Sequence, residues 1–214
     1  MIYLLSPLPK EGTKSLPMID FEQVASDIDY QESELLMFTS KQAVEMAEQI
    51  DPNWKKIPTI AIGGATKAKI QAMGGEVIYH PKDFYGEALA KDIKAFFSDK
   101  KILYLRPKEV SFDSKAFLEK EGILLREQVI YRTFCRTYEA LDQPQKGAVI
   151  IFTSPSTIRC FFKSFTWDES YRAVLIGRAT AEHLPKECRY VIADTPLIDA
   201  CVKKAKEIEK DGDI

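Results

Sequence analysis

The chain repeats itself once. Phe38-Thr39-Ser40 returns as Phe152-Thr153-Ser154, Ile62-Gly63 followed by Ala65-Thr66 returns as Ile176-Gly177 followed by Ala179-Thr180, and Val77-Ile78 returns as Val191-Ile192, each 114 residues further on. One constant spacing across three blocks marks a gapless internal duplication. Solenoid repeats recur every 20–50 residues or so. A period this long instead divides the 214 residues into two similar domains.

Each copy reads as a strand running into a helix. Val149 to Phe152 is a short apolar run rich in β-branched residues, as a strand buried on both faces would be. Thr153, Ser154, Pro155 and Ser156 follow, and Pro suits the first turn of a helix because its missing N–H is not needed there. Ile158, Phe161, Phe162 and Phe165 then recur at helical spacing. Leu35 to Phe38 with Gln42 to Gln49 is the first copy. In both, hydroxyls stand where free N–H groups at the helix start favour anions.

Further strands are expected at Ile2–Leu5, Met18–Phe21, Thr59–Ile62, Glu76–Tyr79, Lys101–Leu105, Ile123–Tyr131, Ala173–Ile176 and Tyr190–Ala193. Helical patterns lie between most of them, and Pro196 opens the last helix, with a polar tail over 210–214 expected to fray. Residues 8–17 read as loop, and 20–34 carry a weak helical stripe through Phe21, Val24, Ala25 and Ile28. Strands alternating with helices specify an α/β class: two similar domains with parallel sheets flanked by helices. Ligands of such sheets sit beyond the carboxyl ends of the strands. Two sheets facing each other would gather both Thr-Ser segments, both Ile-Gly turns and Arg106-Pro107 around one cleft. Two partitions fit the pattern: consecutive domains over 1–98 and 99–214, or a swap in which the opening strands join the C-terminal half.

Composition removes several function classes. The net charge of −2 gives no global field for nucleic acid or an anionic membrane, and no basic stretch is interleaved with aromatics. No apolar run approaches the roughly 18 residues of a membrane span, and the opening MIYLLSPLPK does not read as a signal peptide. Cys135, Cys160, Cys188 and Cys201 show no CxxC spacing and read as four reduced, mostly packing thiols of a cytoplasmic protein. His80 and His183 stand apart with no second ligand nearby, so no metal or cofactor is expected. Phosphate-binding loops, dinucleotide fingerprints and the GxSxG elbow are absent from the sequence.

What remains is a set of hydroxyls and backbone donors. Thr39, Ser40, Thr153, Ser154 and Ser156 are candidate binding groups, although serine and threonine here also serve as ordinary N-caps. Gly63 and Gly177 begin the Ile-Gly turns. Thr66 and Thr180 lie just inside the helices that follow, where a threonine can simply bond back to a carbonyl. Arg106 ends one strand and could be solvated. Tyr131 ends a long strand and could be an amphipathic surface residue. Lys41, Lys67 and Arg178 could add local positive charge.

Taken together these blocks resemble the uroporphyrinogen-III synthase family. That family carries a Phe-Thr-Ser block twice and an Ile-Gly block with a following Thr twice. Between the copies come a strand ending in Arg-Pro or Arg-Gly and a segment with Val, Tyr and Thr. Here these read FTSKQAV (38–44), IGGAT (62–66), Leu105-Arg106-Pro107, VIYRT (129–133), FTSP (152–155) and IGRATA (176–181). The chain departs from the family in a crossover between Pro7 and Met18 too short for a helix, and in Arg178-Ala179-Thr180 where the family often has Pro-Thr-Thr.

The resemblance implies the swapped partition, with 1–22 plus 135–214 as one domain and 23–130 as the other, joined by a two-stranded linker. It implies an enzyme, a cofactor-independent cyclising lyase that closes hydroxymethylbilane to uroporphyrinogen III, inverting ring D and losing water. Tyr131 and Thr180 would be catalytic. Thr39, Ser40, Gly63, Thr66, Arg106, Thr153, Ser154, Ser156 and Gly177 would bind substrate. A monomer is expected, able to receive its substrate from hydroxymethylbilane synthase. The competing reading is a non-catalytic two-domain protein that holds a small anionic ligand in the interdomain cleft.

Overall fold

A computed structural model describes residues 1–83 and 85–211. The last three residues of the expected polar tail lie outside it, while Lys210 and Asp211 belong to the final helix. The chain forms two compact units, Met1–Asp20 with Phe134–Ile214, and Phe21–Thr133.

In chain order the elements are β1 (Ile2–Leu4), β2 (Lys14–Ser15), β3 (Ile19–Gln23), β4 (Leu35–Phe38), α1 (Lys41–Ile50), β5 (Thr59–Ala61), α2 (Gly64–Ala72), β6 (Val77–Tyr79), α3 (Gly86–Phe96), β7 (Ile102–Pro107), α4 (Ser114–Glu119), β8 (Leu125–Cys135), β9 (Val149–Phe152), α5 (Pro155–Ser164), β10 (Arg172–Leu175), α6 (Arg178–Ala181), β11 (Tyr190–Ile192) and α7 (Ile198–Asp211). Short 3₁₀ turns follow α1 and β8.

The unit over 21–133 holds a sheet in the order β3-β8-β7-β4-β5-β6. Strands β7 and β5 flank β4, and all three are parallel. Helices α1 and α2 cover one face, where Ala43, Val44, Ala47 and Ile70 pack with Leu36, Phe38, Leu103 and Leu105. Helices α3 and α4 cover the other, where Leu89, Ile93 and Leu118 pack with Met37, Ile60 and Tyr104. Trp54 is fully buried and meets Phe38 edge to face at 5.5 Å. An added Cβ at Gly75 would lie 2.4 Å from the Trp54 ring, so only glycine fits there. The other unit has the order β11-β10-β9-β1-β2, parallel throughout. Ile2, Leu4, Val149, Ile151 and Val174 pack there against Cys201, Val202 and Ala205 of α7.

The duplication holds pair for pair in the ladder. Leu36↔Thr59, Met37↔Ile60 and Phe38↔Ala61 in one unit become Ile150↔Ala173, Ile151↔Val174 and Phe152↔Leu175 in the other. The third strand breaks the symmetry, because the β5–β6 register shifts between Thr59 and Ile60 whereas β10 and β11 pair without interruption. The two chain crossings between units run through β3 and β8. These are neighbours in the sheet, and their bonds from Val24 N–H to Ile130 O and from Arg136 N–H to Met18 O show that they run in opposite directions.

Three sequence expectations are corrected. Residues 8–17 are not wholly loop, since Lys14–Ser15 adds a short edge strand to β1. The stripe over 20–34 is not helical: β3 is followed by turns, because the acidic side chains accept local and cross-strand bonds. Asp29 takes the Gln31 N–H and pairs with Arg126, and Glu34 takes the Lys101 N–H. Cys135 and Cys160 are not reduced thiols; they form a disulfide that ties the end of β8 to α5. Its partners are 25 residues apart, so spacing gave no signal. Cys188 and Cys201 are free and buried, with burial pushing each thiol up to about 11.

Candidate functional site

The carboxyl end of β4 is the most developed site in the 21–133 unit. Ser40 has an extended backbone and caps α1, its Oγ accepting the Ala43 N–H at 3.0 Å. The plain capping reading of this serine therefore holds. The same Oγ also lies 2.9 Å from the Tyr131 hydroxyl. Thr39 Oγ1 lies 2.6 Å from the Tyr104 hydroxyl. Two neighbouring hydroxyls at one strand end are thus each met by a tyrosine from another strand.

The two tyrosines arrive from opposite faces of the sheet. Tyr104 belongs to the core under α3 and α4, and Tyr131 to the core under α1 and α2. Alternation along β8 would put Tyr131 on the same face as Leu125, which packs under α3 and α4. A register shift intervenes: Arg106 pairs with Val129, but Pro107 pairs with Tyr131, so Ile130 is the extra residue. A bulge of this kind re-aims the side chains beyond it, and here it turns Tyr131 toward Ser40. Tyr131 is only 3 % exposed. Burial raises its phenol above the ordinary value, partly offset by the Ser40 hydrogen bond. Burial likewise pushes Tyr104 up to about 12. Both remain protonated at neutral pH.

Arg106 is half-buried beside them and tied to its own unit. One guanidinium nitrogen donates to the carbonyls of Pro107 and Lys108, at 3.1 Å each. Its Nε lies 3.1 Å from a Glu127 carboxylate oxygen, within ion-pair distance, yet makes no hydrogen bond. The N–H does not point at the oxygen, so the contact is a charge pairing and the buried Nε–H lacks an acceptor. At β5, Gly63 precedes α2 and Thr66 is buried one turn in, with Ile62 N–H bonded to Phe38 O at 2.9 Å.

The second copy follows the same plan with different partners. Ser154 caps α5, its Oγ accepting the Thr157 N–H, and Thr157 Oγ1 in turn accepts the Ser154 N–H in a capping box. Thr153 and Ser156 are half-buried at the same joint. Gly177 precedes α6, Thr180 is buried within it, and Ile176 N–H bonds Phe152 O at 3.1 Å. At Gly177 the backbone is extended and an added Cβ would meet no atom within 4 Å. Neither strain nor packing therefore calls for glycine there, and the peptide stands open.

The structure thus brings Thr39, Ser40 and Tyr131 together, with Arg106 on the next strand, and places Gly63 and Thr66 at the start of α2, just past β5, the strand on the other side of β4. It groups Thr153, Ser154, Ser156, Gly177 and Thr180 at the ends of β9 and β10. Tyr104 and Glu127 are additions that sequence reading missed. Tyr104 sits in an apolar run, ILYL, that reads as buried strand, and the available signal was its phenol, the one polar group in that run. Among the described residues no group of three or more His, Cys, Asp or Glu could hold a metal ion. None of the described helices is long and apolar enough to cross a membrane.

Comparison with known proteins identifies the family and the fold. The family model described as uroporphyrinogen-III synthase HemD matches residues 13–203. The crystal structure of uroporphyrinogen-III synthetase from Helicobacter pylori is 25% identical, with a TM-score of 0.81 over 97% of this chain and 98% of that one. A mutant uroporphyrinogen III synthase from the extremely thermophilic bacterium Thermus thermophilus is 14% identical, with a TM-score of 0.62 over 98% of each chain, a likeness of fold. No curated protein sequence matches the chain. The matched region includes both hydroxyl-bearing strand ends, the bulged strand with Tyr131 and both Ile-Gly turns. The chain belongs to the uroporphyrinogen-III synthase family, the cyclising lyases of tetrapyrrole biosynthesis.

Proposed function

We propose that Tyr131 is the proton donor of this synthase and that the two sets of strand-end groups hold the carboxylates of its substrate. The reaction closes hydroxymethylbilane to uroporphyrinogen III, with inversion of ring D and loss of water. The observation that carries the assignment of Tyr131 is its bulge-directed hydroxyl, buried and 2.9 Å from Ser40 Oγ. Ser40 Oγ uses one lone pair on Ala43 N–H and keeps its own proton. In the resting site the buried phenol donates to Ser40 Oγ; with substrate bound, Ser40 turns its own proton to the phenol oxygen as the Tyr131 proton meets the departing hydroxyl. A phenol held above its ordinary pKa is a weak acid, so its share falls within the roughly 10²–10⁴-fold of general acid catalysis.

The remaining catalysis is positioning and electrostatic stabilisation. Thr39, Ser40, Gly63, Thr66 and Arg106 form one set of binding groups, and Thr153, Ser154, Ser156 and Gly177 the other. Main-chain N–H groups at the starts of α1, α2 and α5 hold carboxylates without a strong positive field. That moderation suits a substrate that becomes a cationic azafulvene once the hydroxyl leaves. Thr180 supports the reacting end as the second catalytic residue.

A coupled assay on hydroxymethylbilane with separation of product isomers tests this reading. The native protein should yield isomer III. Tyr131→Phe should lower kcat by roughly 10²-fold or more without abolishing turnover, with KM and folding nearly unchanged, and Thr180→Ala should lower kcat by less. Full turnover and isomer selectivity in Tyr131→Phe would remove the acid role. We further propose that the protein acts as a cytoplasmic monomer that takes substrate from hydroxymethylbilane synthase. Sedimentation of the two enzymes apart and together, and cell fractionation, test those points. The Cys135–Cys160 disulfide argues the other way, because such bonds persist chiefly in oxidising surroundings, so recovery of the protein outside the cytoplasmic fraction would overturn that placement.

A further inference from the structure

We infer that Tyr104 is a positioning residue for the synthase reaction: it donates its phenol proton to Thr39 and so fixes the Thr39 hydroxyl as an outward donor to a substrate carboxylate. The inference deepens the function proposed above and rests on it.

Tyr104 is 2 % exposed and its ring lies among Met37, Ile60, Leu89 and Leu118. Thr39 Oγ1, at 2.6 Å, is the hydrogen-bond partner of its hydroxyl. Thr39 itself is half-buried and so retains access to a ligand. If Thr39 donated into the phenol, the phenol proton would be left buried without an acceptor, which proteins avoid. The reverse arrangement satisfies both groups. Tyr104 donates, and Thr39 keeps its own proton and one lone pair free on the accessible side. A threonine hydroxyl otherwise rotates to suit its surroundings, so this bond converts a rotor into an oriented donor. Burial pushes Tyr104 up to about 12 against the Thr39 hydrogen bond, which lowers it, so the phenol keeps its proton across the working range.

The duplication supplies an internal control. Tyr104 pairs with Met37 in the ladder, and the matching residue beside Ile151 in the other unit is Leu4. The same place in the same sheet, next to the same Phe-Thr-Ser block, is filled there by an aliphatic side chain that is fully buried. Packing therefore needs an apolar residue at this position and no hydroxyl. Thr39 is what the Tyr104 hydroxyl serves, and Thr153 in the second copy lacks such a partner from β1.

The test is steady-state kinetics on hydroxymethylbilane with Tyr104→Phe, Thr39→Val and the double variant, alongside the native protein. Tyr104→Phe should raise KM roughly three- to tenfold, the size of one oriented hydrogen bond, with kcat within about twofold. Thr39→Val should raise KM at least as much. The double variant should be no worse than Thr39→Val, because the two act through one bond. An unchanged KM in Tyr104→Phe, or an undiminished Tyr104→Phe effect in the Thr39→Val background, overturns the inference and leaves the synthase reading intact. Should Tyr104→Phe fail to fold, Tyr104→Leu, the residue that Leu4 supplies at the matching place, is measured in its stead, with the same rise in KM expected and an unchanged KM overturning the inference. Absence of native turnover to isomer III overturns both.

Discussion

At the scale of single residues the two serines of the duplicated block separate cap from chemistry. Ser154 spends its Oγ on the Thr157 N–H, whereas Ser40 serves both the Ala43 N–H and Tyr131. Ser154→Ala and Ser40→Ala should each cost about 1 kcal/mol of stability, as lost caps do. Only Ser40→Ala should also lower kcat, which urea unfolding and initial rates on the same preparations would show. A second residue-scale prediction concerns alkali. An unfolded tyrosine ionises near 10, while Tyr104 in the fold is held up to about 12 by burial. Between these values the unfolded chain has lost a proton that the folded chain keeps, so stability falls as pH rises. The contribution is complete below about pH 10 and disappears through about pH 12, with Tyr131 and Tyr30 adding in the same direction. Urea midpoints should drop over that window, and Tyr104→Phe should blunt the drop. Sequence alone exposed Thr39, Ser40, Thr153 and Ser154 because duplication repeated them. It could not show what meets them, since Tyr104 and Tyr131 lie 65 and 91 residues from their partners and Tyr131 is aimed by a bulge that no local pattern announces.

At the scale of elements, what was legible followed period and punctuation. The strand-to-helix joints carried Ser caps, a Pro in the first turn of α5, and Gly74 with φ of 87° closing α2. Misreadings arose where side chains replaced the backbone pattern. The segment after β3, where Phe21, Val24, Ala25 and Ile28 read as a helical stripe, is held in turns by its acidic side chains, which accept bonds locally and from β8, and the two-residue β2 is held by its pairing with Tyr3 and Leu4. The Cys135–Cys160 bridge is the largest element-scale omission. It fastens the end of β8, four residues past Tyr131, to the helix that Ser154 caps. Cross-linking positions 25 residues apart restricts the unfolded chain and adds roughly 3 kcal/mol by loop-closure arguments. Cys135→Ala should therefore lower the unfolding free energy by about 2–4 kcal/mol, and dithiothreitol should shift the native protein's urea midpoint while leaving that of Cys135→Ala unmoved. Equal midpoints with and without reductant would mean that the bridge does not form in solution.

At the scale of the whole molecule, connectivity matters more than the duplication suggests. Periodicity left two partitions open, because neighbours in a parallel sheet are chosen by distant contacts: β1 lies beside β9, pairing Ile2 with Val149. The two cores of the 21–133 unit draw only on residues within it. The other unit is assembled from both chain ends, and β1 lies inside its sheet between β9 and β2. Ile2 and Leu4 are 2 % and 0 % exposed there, so losing them opens a cavity lined by Val149, Ile151 and α7. Leucine or isoleucine truncations in such cores cost roughly 2–5 kcal/mol each, against domain stabilities of about 5–15 kcal/mol. Residues 21–133 expressed alone should thus fold cooperatively, whereas 134–214 alone should not. Fusing 1–20 directly to 134–214 through a short Gly-rich turn should restore folding, because Met18 O and Arg136 N–H already meet at 3.0 Å and bring the two cut ends together. Circular dichroism with urea titration on the three pieces checks each outcome. A cooperative transition in 134–214 alone, as stable as in the fusion, would show that β1 completes the sheet without being needed for it.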